Sequence, residues 1–297
     1  MSKFEEKMAQ YIKLTEENLL KYNDHTEANA PQKELIDAMN YSLEAGGKRV
    51  RPALVYAFCE ALGGNIESAI APACAIEMIH TFSLIHDDLP CMDDDDFRRG
   101  KPSCHKAFPE NIALLAGDAL NTLAFEVISN AALDGRITAE KAVMLISVLS
   151  KSVGAEGMIG GQVIDLLCEG KEVDIETLNT LQSYKTGALI EAACVMGVIL
   201  AGKYDLIPAA ADYASAVGRA FQIVDDLLDV SGTFEELGKP IGSDSEQGKC
   251  TYVSLLGENR SRQIAAQLTM QALGHLTRFE NNEFLSELTD DLLSRRN

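Results

Sequence analysis

The densest chemistry in the sequence is the run His86-Asp87-Asp88-Leu89-Pro90-Cys91-Met92-Asp93-Asp94-Asp95-Asp96-Phe97-Arg98-Arg99, with six aspartates inside ten positions. Carboxylate oxygens at that density suit Mg²⁺, which keeps several waters and shares its shell with substrate phosphates. An EF-hand is excluded, because the segment lacks the central Gly and the terminal Glu at the required spacing. Zinc is excluded by the lack of paired His or Cys ligands. A second cluster, Phe221-Gln222-Ile223-Val224-Asp225-Asp226-Leu227-Leu228-Asp229, puts Gln222, Asp225 and Asp229 on one helix face by i, i+3 and i, i+7 spacing. Either cluster alone reads equally well as a solvated acidic patch. Two of them, the second within an apolar stretch where an unpaired carboxylate is costly, favour cation binding.

Cations accompany these carboxylates. Gly46-Gly47-Lys48-Arg49-Val50-Arg51-Pro52 joins two helical segments, and Lys48 and Arg51 can converge on one anion. Arg98-Arg99 follow directly on the aspartates, and Lys185-Thr186-Gly187 and Lys239-Pro240-Ile241-Gly242 add Lys beside glycine. Each taken alone is equally a surface junction or a salt-bridge network. Together they describe the charge arrangement that a diphosphate ligand requires.

The elements that must position these groups are helices. Apolar residues recur at helical spacing, as in Phe4, Met8, Tyr11 and Ile12 and again in Leu178, Leu181, Leu189 and Ile190. Asn65, Thr138 and Asp174 suit N-caps, and Gly202 and Gly257 suit stops. Val143 to Leu149 has the composition of a buried strand, but no turn chemistry bounds it, so helix is expected there as well. The fold class is therefore all-α, a bundle of about ten or more helices, and residues 1–297 are expected to form one domain. Pro90 cannot continue a helix, which puts Asp87 and Asp88 at the C-terminal, negative end of an apolar helical segment from Ala75 to Ile85. A loop starting at Pro90 can then fold Asp93 back toward Asp87. On a straight helix, positions six apart do not share a face.

Composition narrows the function. With 26 Lys and Arg against 45 Asp and Glu, the net charge of −19 repels nucleic acid and anionic lipid surfaces. No long run of uncharged apolar residues and no signal-like start is seen, so a cytoplasmic protein without membrane insertion is expected. The seven cysteines (Cys59, Cys74, Cys91, Cys104, Cys168, Cys194 and Cys250) are scattered and never form a CxxC pair, so most are expected to be buried, reduced side chains.

These motifs occur in one order: GGKRVRP, HTFSLIHDDLPCMDDDDFRRGKPSCH, LLAGDAL, GGQVIDL, YKTGALI, FQIVDDLLDV and GKPIGSDSEQGKCTYVSLLG. In that order the sequence resembles the trans-isoprenyl diphosphate synthases, in particular farnesyl diphosphate synthases of bacterial type, over most of the chain. The resemblance implies that Asp87, Asp88 and Asp93 face Asp225, Asp226 and Asp229 across the bundle. They would hold a trinuclear Mg²⁺ cluster on the allylic diphosphate, with Arg98, Lys185 and Lys239 completing its neutralisation. By the same resemblance Lys48, Arg51, His80 and Arg99 hold the diphosphate of isopentenyl diphosphate without metal. Gln162, Asp165, Thr186, Gln222 and Asp226 line the chamber, and Lys249 closes over it as part of a lid spanning residues 239–249. A homodimer and small-molecule diphosphate substrates are implied as partners.

Product length is read at the residues before Asp87. Ser83 lies four residues before it and is too small to block a chain, whereas Phe82, five before, is a rigid aromatic. Packing of Phe82 between helices is the plain alternative. Within the resemblance, an aromatic there goes with a fifteen-carbon product, while geranylgeranyl synthases typically place Met. A terpene cyclase has no use for a second diphosphate site, and non-catalytic synthase subunits lack intact aspartate motifs.

Overall fold

The computed structural model describes residues 1–24, 30–231 and 250–293. Eleven helices lead up to and include the second aspartate cluster: α1 (Lys3–Tyr22), α2 (Lys33–Leu43), α3 (Val50–Ala61), α4 (Ile66–Asp87), α5 (Cys104–Ala107), α6 (Glu110–Leu133), α7 (Ala139–Val153), α8 (Met158–Cys168), α9 (Ile175–Gln182), α10 (Ala188–Ala201) and α11 (Ile207–Ser231). After residue 250 come α12 (Tyr252–Leu256), α13 (Glu258–Leu276) and α14 (Glu283–Leu293). Helix α10 is apolar all round and buried from Leu189 to Leu200 save Glu191, as a central helix must be. It packs on α3, α7 and α11, while α4 packs on α3 and α6 and α11 on α13. The core therefore wraps two central helices, α4 and α10, and the first aspartate cluster sits at the end of one of them.

The expected caps hold these helices in register. The Asn65 Oδ1 accepts from Glu67 N at 3.1 Å, Thr138 Oγ1 from Lys141 N at 3.2 Å and Asp174 Oδ1 from Thr177 N at 2.7 Å. Gly202 and Gly257 end their helices with φ of 73° and 75°. The segment from Val143 to Leu149 lies within helix α7. Five cysteines are buried, Cys91 is exposed and Cys250 half-buried, and all seven are free thiols.

Three features depart from expectation. Phe97–Arg98 and Lys101–Pro102 pair as a short antiparallel hairpin, β1 and β2, in an otherwise helical fold. Its turn residues Arg99 and Gly100 both have positive φ, 54° and 76°, the twist that a two-residue hairpin needs. Between α9 and α10, Ser183–Gly187 forms a turn of π-helix that carries Lys185 and Thr186. Finally, Ile66–Asp87, Glu110–Leu133, Ala139–Cys168 and Ile175–Ala201 are long and apolar enough to cross a membrane by length and composition. The sequence reading rested on a wholly uncharged run, a stricter criterion. In Ile66–Asp87 the apolarity serves the protein core, since 72% of its most apolar window is buried.

Candidate active site

Helix α4 stops where Pro90 requires. Asp87 is its last residue, Asp88 caps it, and the chain folds back so that Asp93 N donates to the Asp87 carbonyl at 2.9 Å. The loop thus brings Asp93 beside Asp87, which a continued helix would not do. Beneath it lies a cavity of about 600 Å³, lined among others by Arg51, His80, Asp87, Gln162, Lys185 and Thr186. Phe82 and Ser83 line it too, and Leu114, Met158, Val163 and Leu166 supply apolar wall.

The sequence treats Asp87, Asp88 and Asp93 alike; the structure divides them. Asp88 is buried and bonded by the Arg98 fork, with Nε donating to its two oxygens at 2.9 and 3.3 Å and Nη2 donating as well. Arg98 Nη2 also reaches Asp95 at 3.1 Å. Burial pulls the Arg98 guanidinium down, but the bonds and charge of Asp88 and Asp95 outweigh it and hold it above its ordinary value. Asp88 and Arg98 are therefore paired with each other, an arrangement that the uniform reading of the three aspartates did not foresee. Burial raises the Asp88 carboxyl too, with the bond and charge of Arg98 opposing. At Asp87 burial pushes the carboxyl up to about 6, Lys185 opposing and Asp93 adding to the rise.

Lys185 comes to the cavity on the π-turn. Gly161 makes this possible, because a Cβ there would lie 2.2 Å from Lys185 N, so only glycine lets α8 press against the turn. Lys185 Nζ donates to Asp165 Oδ2 at 2.5 Å. Burial lowers the lysine's proton affinity, but Asp165 and Asp87 together raise it above its ordinary value. On the same turn, Thr186 Oγ1 donates to Gln222 Oε1 at 3.4 Å, tying the second aspartate cluster to the cavity wall. Gln222 Nε2 donates to Asp226 Oδ1 at 2.9 Å, and Tyr252 N donates to Asp226 Oδ2 at 2.8 Å. Asp226 thus fastens the returning chain to α11. Asp225 is half-buried and Asp229 buried on the same helix, and neither is among the residues lining the cavity.

A second group of residues around the cavity is cationic. Arg51 stands in the first turn of α3, and burial pushes its guanidinium below its ordinary value, Glu77 opposing and Arg99 adding to the fall. His80 is driven well below its ordinary value by burial and then by Arg51 and Arg99, so it is neutral. Its place on α4, seven residues before Asp87, puts both on one face. Arg99, on the hairpin turn, donates to the Gly46 carbonyl, and a Cβ on Gly47 would lie 2.7 Å from its guanidinium carbon. Lys48 is exposed on the adjoining loop. Arg51 and Gln162 line the cavity, and the buried Nε of Arg51 and Nε2 of Gln162 have no hydrogen-bond partner.

The structure thus gathers Arg51, His80, Phe82, Ser83, Asp87, Gln162, Lys185 and Thr186 around one cavity, with Lys48, Arg98 and Arg99 beside it and Gln222, Asp225, Asp226 and Asp229 behind the π-turn. Lys239, Lys249 and the lid between them lie outside the described residues. Sequence reasoning missed His86 and Asn121, which also line the cavity. For His86 the signal was its position four residues after Phe82, one helical turn on, where the structure sets the two rings edge-on at 5.0 Å. Among the described residues, no three His, Cys, Asp or Glu side chains converge closely enough to hold a metal by themselves.

Comparison with known proteins agrees with this arrangement. Residues 32–292 match the polyprenyl synthetase family. The chain is 48% identical to a Capsicum annuum protein named geranylgeranyl pyrophosphate synthase, chloroplastic, over 83% of this chain and 67% of that one. It is 49% identical to a dimethylallyltranstransferase of Fischerella ambigua, over 89% and 77%. Among solved structures, an FPP/GFPP synthase from Zymomonas mobilis in its apo form superposes with a TM-score of 0.87 at 37% identity, covering 98% of both chains. A Helicobacter pylori geranyltransferase complexed with magnesium and isoprenyl diphosphate superposes with a TM-score of 0.81 at 34% identity, covering 97% of this chain and 96% of that one. With the aspartate loop, the cationic wall and the apolar cavity between them, the chain belongs to the polyprenyl synthetase family, prenyltransferases of isoprenoid biosynthesis that act on small diphosphate substrates.

Proposed function

We propose that the chain condenses dimethylallyl or geranyl diphosphate with isopentenyl diphosphate, giving farnesyl diphosphate and inorganic diphosphate. The observation that carries this reading is one apolar cavity whose lining holds two unlike polar groups, Asp87 with Lys185 and Arg51 with the neutral His80, brought together along the same face of α4. A reaction between two diphosphates needs two anion sites and a dry space between the reacting carbons.

The allylic diphosphate lies against Lys185 and Thr186, with Lys239 and Lys249 assigned to it by resemblance. Mg²⁺ suits the acidic wall. It takes one or two carboxylates plus substrate oxygens, in keeping with a wall that has Asp87 and Asp93 side by side but no complete three-ligand cage. Asp87, Asp93 and Asp225 would hold it, and it would supply fixed positive charge where the departing diphosphate gathers negative charge. The C–O bond of the allylic substrate breaks with its electron pair going to diphosphate. Isopentenyl diphosphate, anchored by Lys48, Arg51, His80 and Arg99, presents its double bond to the allylic cation. A carbon–carbon bond forms, and the proton lost from the adjacent carbon goes to diphosphate. The walls of Leu114, Met158, Val163 and Leu166 keep out water that would capture the cation.

Phe82 sets the floor in this reading. It is buried and its ring is braced edge-on by His86, whose Nε2 lies 3.0 Å from the Leu114 carbonyl oxygen. A second reading, a twenty-carbon geranylgeranyl product, is favoured by the names of relatives such as the Capsicum annuum protein. Chromatography of the dephosphorylated products of wild type and Phe82→Ala separates the two. Fifteen carbons from the wild type and longer chains from the variant are expected; a twenty-carbon wild-type product would establish the second reading instead. Exposed Leu115 and Leu167 on α6 and α8, which do not line the cavity, are the contact proposed between two copies, to be measured by light scattering in solution.

A further inference from the structure

Arg49 and Glu77 take no part in the reaction outlined above and do not line the cavity, yet they form a buried ion pair directly behind its cationic wall. Arg49 is 3% exposed and Glu77 1%. Arg49 Nη1 donates to Glu77 Oε1 at 2.7 Å, Nη2 donates to the Leu43 carbonyl at 2.6 Å, and Nε lies 3.5 Å from Glu16 Oε1. One side chain therefore fastens the end of α2 to the middle of α4 by hydrogen bonds, while Nε has no hydrogen-bond partner and only approaches the carboxylate of Glu16 on α1 as an ion pair.

The backbone at Arg49 is as unusual as its side chain. Its φ of 47° is left-handed, a strained conformation for a non-glycine residue that persists only where the surroundings fix it. Arg49 is also the residue from which α3 starts, its carbonyl accepting from Ala53 N at 3.0 Å. Lys48 precedes it and Arg51 stands in the first turn after it. The left-handed bend thus sets the direction in which both cations leave the loop, and the grip of Glu77 and Leu43 on the guanidinium holds the bend.

Glu77 also answers a charge problem. It sits three residues before His80 on α4, and its carboxylate acts on Arg51 and Arg99 as well as Arg49. Crowded guanidinium groups repel one another, and a buried carboxylate among them keeps the wall together before an anion arrives. Replacing a buried ion pair by apolar side chains of similar size is often neutral for stability, so stability alone does not account for keeping the charges.

We propose that Arg49 and Glu77 are a positioning pair that fixes Lys48 and Arg51 for isopentenyl diphosphate. This rests on the assignment of that substrate to the cationic wall. Steady-state kinetics with both substrates test it, together with thermal unfolding, on Arg51→Ala, Arg49→Lys and the double variant Arg49→Met/Glu77→Met. The double variant is expected to keep its unfolding midpoint yet raise the KM for isopentenyl diphosphate about tenfold, with kcat and the allylic KM changing less than about twofold. Arg49→Lys keeps the charge but not the fork that also grips Leu43, so a rise of about threefold or more is expected there. A folded double variant with the wild-type KM overturns the proposal, as does a loss in which both KM values and kcat move together. If the double variant does not fold, Arg49→Lys decides, and an unchanged KM in it overturns the proposal. Arg51→Ala is the separate control: if it leaves the isopentenyl KM unaltered, the assignment of the wall fails, and the positioning role with it.

Discussion

The two charged walls of the cavity are built in opposite ways. The cationic wall carries its own counter-ion: Glu77 is buried among Arg49, Arg51 and Arg99, and the loop is hydrogen-bonded through Arg49 to α2 and α4. The acidic wall carries less than it needs. Asp88 is satisfied by Arg98 and Asp226 by Gln222 and Tyr252, but burial still drives Asp87 up to about 6. The first wall is arranged to receive an anion as it stands. On the function proposed above, the second would reach its working charge only when cations come in with the substrate.

The largest effect expected from this contrast is on turnover. Asp87→Ala and Asp225→Ala should each lower kcat by two or more orders of magnitude, about 3 kcal/mol or more, with folding intact by circular dichroism. Full activity of either variant, or of the wild type in excess chelator, would remove the cation requirement from the acidic wall. Next in size, Arg51→Ala should raise the KM for isopentenyl diphosphate about ten- to a hundredfold, with a much smaller change for the allylic substrate. An effect confined to the allylic KM would exchange the roles of the two walls.

The smallest effect concerns stability and pH in metal-free protein. Asp87 in the folded state has its carboxyl at about 6 against an ordinary 3.8, so between those values the folded chain binds more protons than the unfolded one. Stability from this group is therefore greatest at low pH and falls as pH rises through that window, by at most about 3 kcal/mol. The difference in unfolding midpoint between wild type and Asp87→Asn, followed from pH 4 to 7, should show this slope. The opposite sign would mean that Asp87 is already well paired, and the walls would then differ less than described.

The sequence was readable where a residue type forces local geometry. Pro90 after two aspartates located the helix end and the return of Asp93, and the caps at Asn65, Thr138 and Asp174 were recovered because each has one dominant role. The hairpin was not legible. Two-residue strands offer no alternation to read, and Arg99-Gly100 carries only half of the usual turn signal. Dividing the aspartates needed the structure, since nothing in the run tells which carboxylate Arg98 will grip. Glu77 was passed over because it lies in a segment that reads as apolar on average, although a single carboxylate in such a helix is itself a sign of a buried partner.

The π-turn at Ser183–Gly187 has an evolutionary consequence. Such a turn holds one residue more than the regular helix on either side requires, so α9, the turn and α10 together are a helix with an insertion retained in it. Deleting one residue there would give a more regular helix, yet would rotate everything on one side by about 100° relative to the other. Lys185 and Thr186 would then no longer share the cavity with Asp87 while α10 keeps its place in the core. Along this stretch of chain, selection for a better helix and selection for a working site pull in opposite directions, and a change in length is tolerated less than a change in side chain.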